Sequence, residues 1–140
     1  MSAPRSFTII AIVLLLWNLM GVMAFVMQYN MDLAVLAETD PAGARIFAAM
    51  PGWLWIDYGV AVLAGTVGAA SLLAKRKAAV ALFLLSLVAV IVQFGYTFLA
   101  TDLIAAKGVV VAMAFPILIF AITIFQWRYA SAQMAKGVLR

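Results

Sequence analysis

Four long apolar runs divide the chain, at about 7–27, 53–74, 78–100 and 108–127, with polar gaps between them. Each run is continuous, whereas a membrane β-barrel strand would alternate apolar and polar positions over ~10 residues. A helix needs ~20 apolar residues to cross ~30 Å of hydrocarbon. The pattern predicts an all-α polytopic membrane protein: an antiparallel bundle of four transmembrane helices, with residues 1–140 forming a single membrane domain. No internal repeat is evident.

The first gap is the only long one. Asp40-Pro41 predicts a helix start, because an aspartate caps free amides and proline suits the first helical position. Pro51-Gly52 ends the segment. Between them, a short helix over about 41–50 carries Ile46, Phe47 and Met50 on an apolar side beside Arg45. It is expected to lie at the outer interface. Arg5 ahead of the first run resembles the start of a signal peptide. That run is too long for one, and no small-residue cleavage site follows it, so a retained helix is expected.

Positions three and four apart stack on a helix, which puts Leu14, Asn18, Gly21, Phe25 and Gln28 on one face of the first run. In the second, Ala61, Gly65, Gly68 and Ala69 form a ridge of small residues. Such ridges let backbones approach closely in lipid, and packing inside the bundle is expected here rather than a dimer seam. Lys75-Arg76-Lys77 is a tight turn, so the second and third runs must be neighbours. Pro116 is expected to kink the fourth run, which membranes tolerate when neighbours re-satisfy the freed carbonyl.

Charge then orients the runs. Arg5, Lys75, Arg76, Lys77, Arg128, Lys136 and Arg140 fall at one end of the spans. Asp32, Glu38, Asp40, Asp57 and Asp102, with Arg45 and Lys107, fall at the other. Lys and Arg accumulate in short cytoplasmic segments, so both termini are expected in the cytoplasm. A composition of 69% hydrophobic and 10% charged residues, with mean hydropathy +1.19, excludes a soluble globular class. The isoelectric point near 9.8 does not imply nucleic-acid binding. These cations sit at span ends, where they set topology and meet anionic lipid headgroups.

The chain has no cysteine and no histidine, which removes thiol chemistry, haem ligation by His and the usual zinc ligand sets. It also lacks a nucleophile–base pair, a phosphate-binding loop and paired carboxylates at depth. The expectation is a non-enzyme with no cofactor and no metal. Polar residues inside the runs are therefore the informative ones. Asp57 is the acid within a span, a placement costing ~2.5–3.5 kcal/mol at a helix centre and less near an interface. Gln28, Trp53, Asp57, Gln93 and Tyr96 fall in the outer half and form a candidate polar pocket. It would suit a small polar solute, a lipid headgroup or a quinone head. The plainer reading, interhelical hydrogen bonds worth ~0.6 kcal/mol each, is preferred. Asn18 is likewise expected to set helix pairing.

The stretches Trp17-Asn18-Leu19-Met20-Gly21, 25–28, Met50-Pro51-Gly52-Trp53 and 86–93 resemble a group of small bacterial four-span inner-membrane proteins, some labelled as sugar transporters. The resemblance implies a bacterial inner membrane and a four-helix fold. Small multidrug exporters, also four-span, carry a membrane-embedded Glu in their first helix where this chain has Asn18. The expected role is an accessory or scaffold subunit whose partners are the lipid bilayer and a membrane protein or further copies of itself. The alternative is a small solute transporter, sugar-like in substrate, acting as an oligomer.

Overall fold

A computed structural model describes residues 5–100 and 108–140. Among these, the chain forms six helices and no strand: α1 Arg5–Tyr29, α2 Leu33–Thr39, α3 Pro41–Ala48, α4 Gly52–Leu73, α5 Ala78–Ala100 and α6 Val109–Ala135. Three of them, α1, α4 and α5 up to Leu99, are long and apolar enough to cross a membrane. The third gap, with Asp102 and Lys107, lies outside the described residues.

The helix boundaries follow local chemistry. Asp40 caps α3 by accepting from the Gly43 amide at 3.0 Å, and Pro41 occupies the first turn. The same residue closes α2, its N–H donating to the Leu36 carbonyl at 2.7 Å. Helix α2 has no counterpart in the hydropathy pattern. It starts because Asp32 accepts from the amides of Ala34 and Val35 at 3.0 and 3.4 Å. The predicted end of the last helix, near residue 127, is too early, since α6 continues to Ala135. The added turns are helix-tolerant, and Ala130 and Gln133 are buried in them, so packing carries the helix past the polar residues.

α4 and α6 end alike. After α4, the Arg76 amide donates to the Ser71 carbonyl at 2.8 Å and the Lys75 amide to Leu72 at 2.9 Å. After α6, Val138 donates to Gln133 at 3.0 Å and Gly137 to Met134 at 3.1 Å. This paired closure needs a left-handed residue, supplied by Lys75 (φ 61°) and Gly137 (φ 79°). The second closure turns the chain back. Arg140 then exchanges backbone hydrogen bonds with the α4–α5 turn: its N–H donates to Lys75 at 2.7 Å, and its carbonyl accepts from Lys77 at 2.9 Å. Val138 and Leu139 are thereby buried among Phe7, Ala11, Leu72, Ala79, Phe83 and Ala130. Arg5, Lys75, Arg76, Lys77, Lys136 and Arg140 gather around this cationic end.

α1 packs on α4, α4 on α5, and α5 on α6. Facing residues run in opposite order along α4 and α5, since Gly68 meets Phe83, Ser86 meets Ala61, and Trp53 meets Tyr96. At the acidic end, α1, α3 and α4 share an aromatic cluster around Trp55, which touches Phe25, Tyr29, Phe47 and Tyr58 at centroid distances of 5.5–6.2 Å. Phe47 stacking on Trp55 ties α3 to α4.

The distribution of polarity is inverted relative to a water-soluble fold. Ile12, Leu16, Met20, Met23, Leu63, Val67, Leu85, Val88 and Ile91 point outward, while Asn18, Ser86, Thr123, Gln126 and Gln133 are buried. Such a surface is one that hydrocarbon would wet, and an apolar exterior of this extent is foreign to soluble monomers.

Candidate functional site

The side chains capable of chemistry converge at two levels of the packed helices. The first lies near the middle of α1 and α4, where Gly65 lets three helices close together. Asn18 stands against Gly65 from α1, and Ser86 approaches the same glycine from α5. A Cβ at Gly65 would collide with Asn18 Oδ1 and lie 3.3 Å from Ser86 Oγ. The Ser86 hydroxyl donates across the interface to the Ala61 carbonyl at 2.7 Å. Asn18 Nδ2 donates to the Leu14 carbonyl at 2.7 Å and, across to α6, to Gln126 Oε1.

Every residue of this knot is buried, with Gln126 only 1% exposed. Buried polar groups cost free energy unless paired, and these are paired, Asn18 with Gln126 and Ser86 with the Ala61 carbonyl. Thr66 and Thr123 turn inward on their own helices, donating to the Val62 and Ile119 carbonyls at 2.7 Å. The face of α1 carrying Leu14, Asn18, Gly21 and Phe25 is the one on α4. Gly21 sits opposite Val62, and Phe25 sits under Gly59. Ala61, Gly65, Gly68 and Ala69 are all buried within the chain, with Gly68 against Phe83 and Leu82.

The second level lies toward the acidic end of the α4–α5 interface. The ring of Trp53 meets that of Tyr96 edge-on at 5.5 Å. Asp57 follows Trp53 by four residues and Gln93 precedes Tyr96 by three, so each shares the face of its aromatic neighbour. Both polar side chains therefore sit one turn further into the interface, on facing helices. One turn beyond them are Ala61, Ala89 and Val90, which pack together. Asp57 Oδ2 and Gln93 Oε1 are both buried and accept no hydrogen bond.

Thus four of the five residues proposed as a pocket, Trp53, Asp57, Gln93 and Tyr96, stand on one interface. Gln28 lies at the end of α1, one turn beyond Phe25, which packs on Tyr58 and Gly59 of α4. Gln126, near the expected end of the fourth run, is buried between helices. The available signal was its spacing with Thr123, Ala130 and Gln133, which recur along one helical face and are all buried.

Between α5 and α6 a groove of about 290 Å³ is lined by Phe94, Phe98, Pro116, Ile117, Phe120 and Ile124, all apolar. The Pro116 ring, which cannot donate a backbone hydrogen bond, forms part of its wall. Among the described residues, no cluster of three or more acidic, Cys or His side chains could hold a metal ion. Comparison with protein-family models, curated proteins and solved structures finds no match to this chain.

Proposed function

We propose that the chain is a non-enzymatic, multipass protein of the bacterial inner membrane, acting as an accessory or scaffold subunit beside a larger membrane complex or its lipids. In this reading α6 is the fourth span, the bundle is antiparallel, and both termini face the cytoplasm. The observation that carries the role is the central knot. Asn18, Ser86 and Gln126 are spent on interhelical bonds at the level where a carrier would place its substrate. Polar groups used this way fix helix register. The apolar outward faces of the long helices are left for lateral contact with lipid or protein.

Two further supports concern location. The resemblance described above implies an inner-membrane setting, and the cationic end built from Lys75, Arg76, Lys77 and Arg140 fits a cytoplasmic face. A reporter fused after Arg140 is expected to be active only in the cytoplasm. Gentle extraction of tagged protein from native membranes tests the role itself. The expected result is co-migration with a larger assembly or a multiple of the chain's own mass. A clean monomer that retains no partner overturns the scaffold reading. Solute transport, through an oligomer, is the second reading. What favours it is the pair of unpartnered oxygens on Asp57 and Gln93.

A further inference from the structure

We propose that the rung formed by Asp57 and Gln93 binds a small organic ammonium cation, with Trp53 and Tyr96 as its aromatic rim. Two acceptor oxygens, one of a carboxylate and one of an amide, are buried at the same level of facing helices, and no donor reaches either. The indole N–H of Trp53 and the hydroxyl of Tyr96 are one turn away, yet neither bonds to these oxygens. A buried acceptor without a donor is costly, and a carboxylate oxygen is costlier than most. Its persistence at a packed helix interface points to a missing donor.

The chemistry of the rung narrows what that donor is. A primary ammonium brings up to three N–H donors and a positive charge, answering both oxygens and the carboxylate together. A polyol hydroxyl would answer the hydrogen bond but leave the charge. A bare alkali or alkaline-earth ion needs more oxygen ligands than two side chains supply. Aromatic faces within ~6 Å attract a cation, and Trp53 and Tyr96, in edge-on contact at 5.5 Å, lie one helical turn from the rung. The same end of the molecule carries Asp32, Glu38 and Asp40 against the single cation Arg45 among the described residues, an excess of negative charge whose field draws cations toward it. Binding of this kind is independent of whether the chain is a scaffold or a carrier, because it requires no movement across the membrane.

The test uses the full chain in nanodiscs of zwitterionic lipid, melted in methylammonium chloride and in sodium chloride of equal concentration. Glucose serves as a neutral polyol. Methylammonium is expected to raise the melting temperature beyond the sodium control, and glucose is not. Asp57→Asn should weaken the apparent affinity about tenfold or more, since it removes a charge-assisted partner. Gln93→Leu should weaken it several-fold and is the second probe if Asp57→Asn folds poorly. Ser86→Ala, in the other polar level, should keep the full response. A wild-type chain that responds no more to methylammonium than to sodium overturns the proposal. So does an undiminished response in both rung variants, or stabilisation by glucose alone.

Discussion

Gly65→Ala is the sharpest probe of the central knot, because the structure says what the added methyl group meets. The new Cβ would overlap Asn18 Oδ1 and press on Ser86 Oγ at 3.3 Å. Asn18 cannot move away freely, since its Nδ2 is held by Leu14 at 2.7 Å and by Gln126. Overpacking of a close-fitted core costs ~1–3 kcal/mol. Breaking the Asn18–Gln126 bond adds ~0.6 kcal/mol, the average for an interhelical bond in a membrane bundle. Against this, alanine gains up to ~1 kcal/mol over glycine in a helix interior. The net expectation is a loss of about 1–2 kcal/mol, measured by reversible SDS-induced unfolding in mixed micelles. Repeating the substitution in an Asn18→Ala background removes the larger collision, and there the cost of Gly65→Ala should fall to that of the remaining 3.3 Å contact with Ser86 Oγ. Gly95→Ala is the control, because nothing lies within 4 Å of the added Cβ. It should be neutral or slightly stabilising. If Gly65→Ala costs as much without Asn18 as with it, the packing argument is wrong.

The cationic end offers two more tests in the same assay. Leu139→Ala should destabilise by ~2–4 kcal/mol, because its side chain is 2% exposed among Phe7, Leu72 and Phe83; a loss under a few tenths would mean the C-terminal turn is not docked. Lys75→Gly should stabilise by up to ~1 kcal/mol by relieving a left-handed lysine, and Gly137→Ala should cost a similar amount for the converse reason. If both changes moved stability in the same direction, the strain argument would fail.

These probes also mark what the sequence could and could not reveal. The long helices were legible. The apolar runs match α1, α4 and α5 to within about two residues at each end, and Asp40-Pro41 marks the start of α3, because hydropathy and capping are local properties. Helix α2 leaves no hydropathy signal, because its start rests on the Asp32 carboxylate capping two amides. The end of α6 was missed for a related reason. Arg128 marks a span end by its charge, yet Gln126 on the same turn is buried between helices and the chain stays helical past both.

What hydropathy cannot supply in such a chain is the rotation of each helix about its axis. Apolar residues surround these helices on nearly every side, so no apolar stripe says which face turns inward. A soluble amphipathic helix announces its buried face by contrast. Here the inward face has to be read from what lipid disfavours and what close packing requires. Asn18 marks it on α1, Gly65 on α4, Ser86 on α5 and Gln126 on α6, and in the structure these four meet. The same logic singles out Asp57 and Gln93. Their helical spacing from Trp53 and Tyr96 places them on the shared face, yet only the packed structure shows their oxygens buried without a donor. Polar residues that pair between helices account for the packing. Among the described residues, the buried oxygens of Asp57 and Gln93 that accept no hydrogen bond are where a ligand is to be sought.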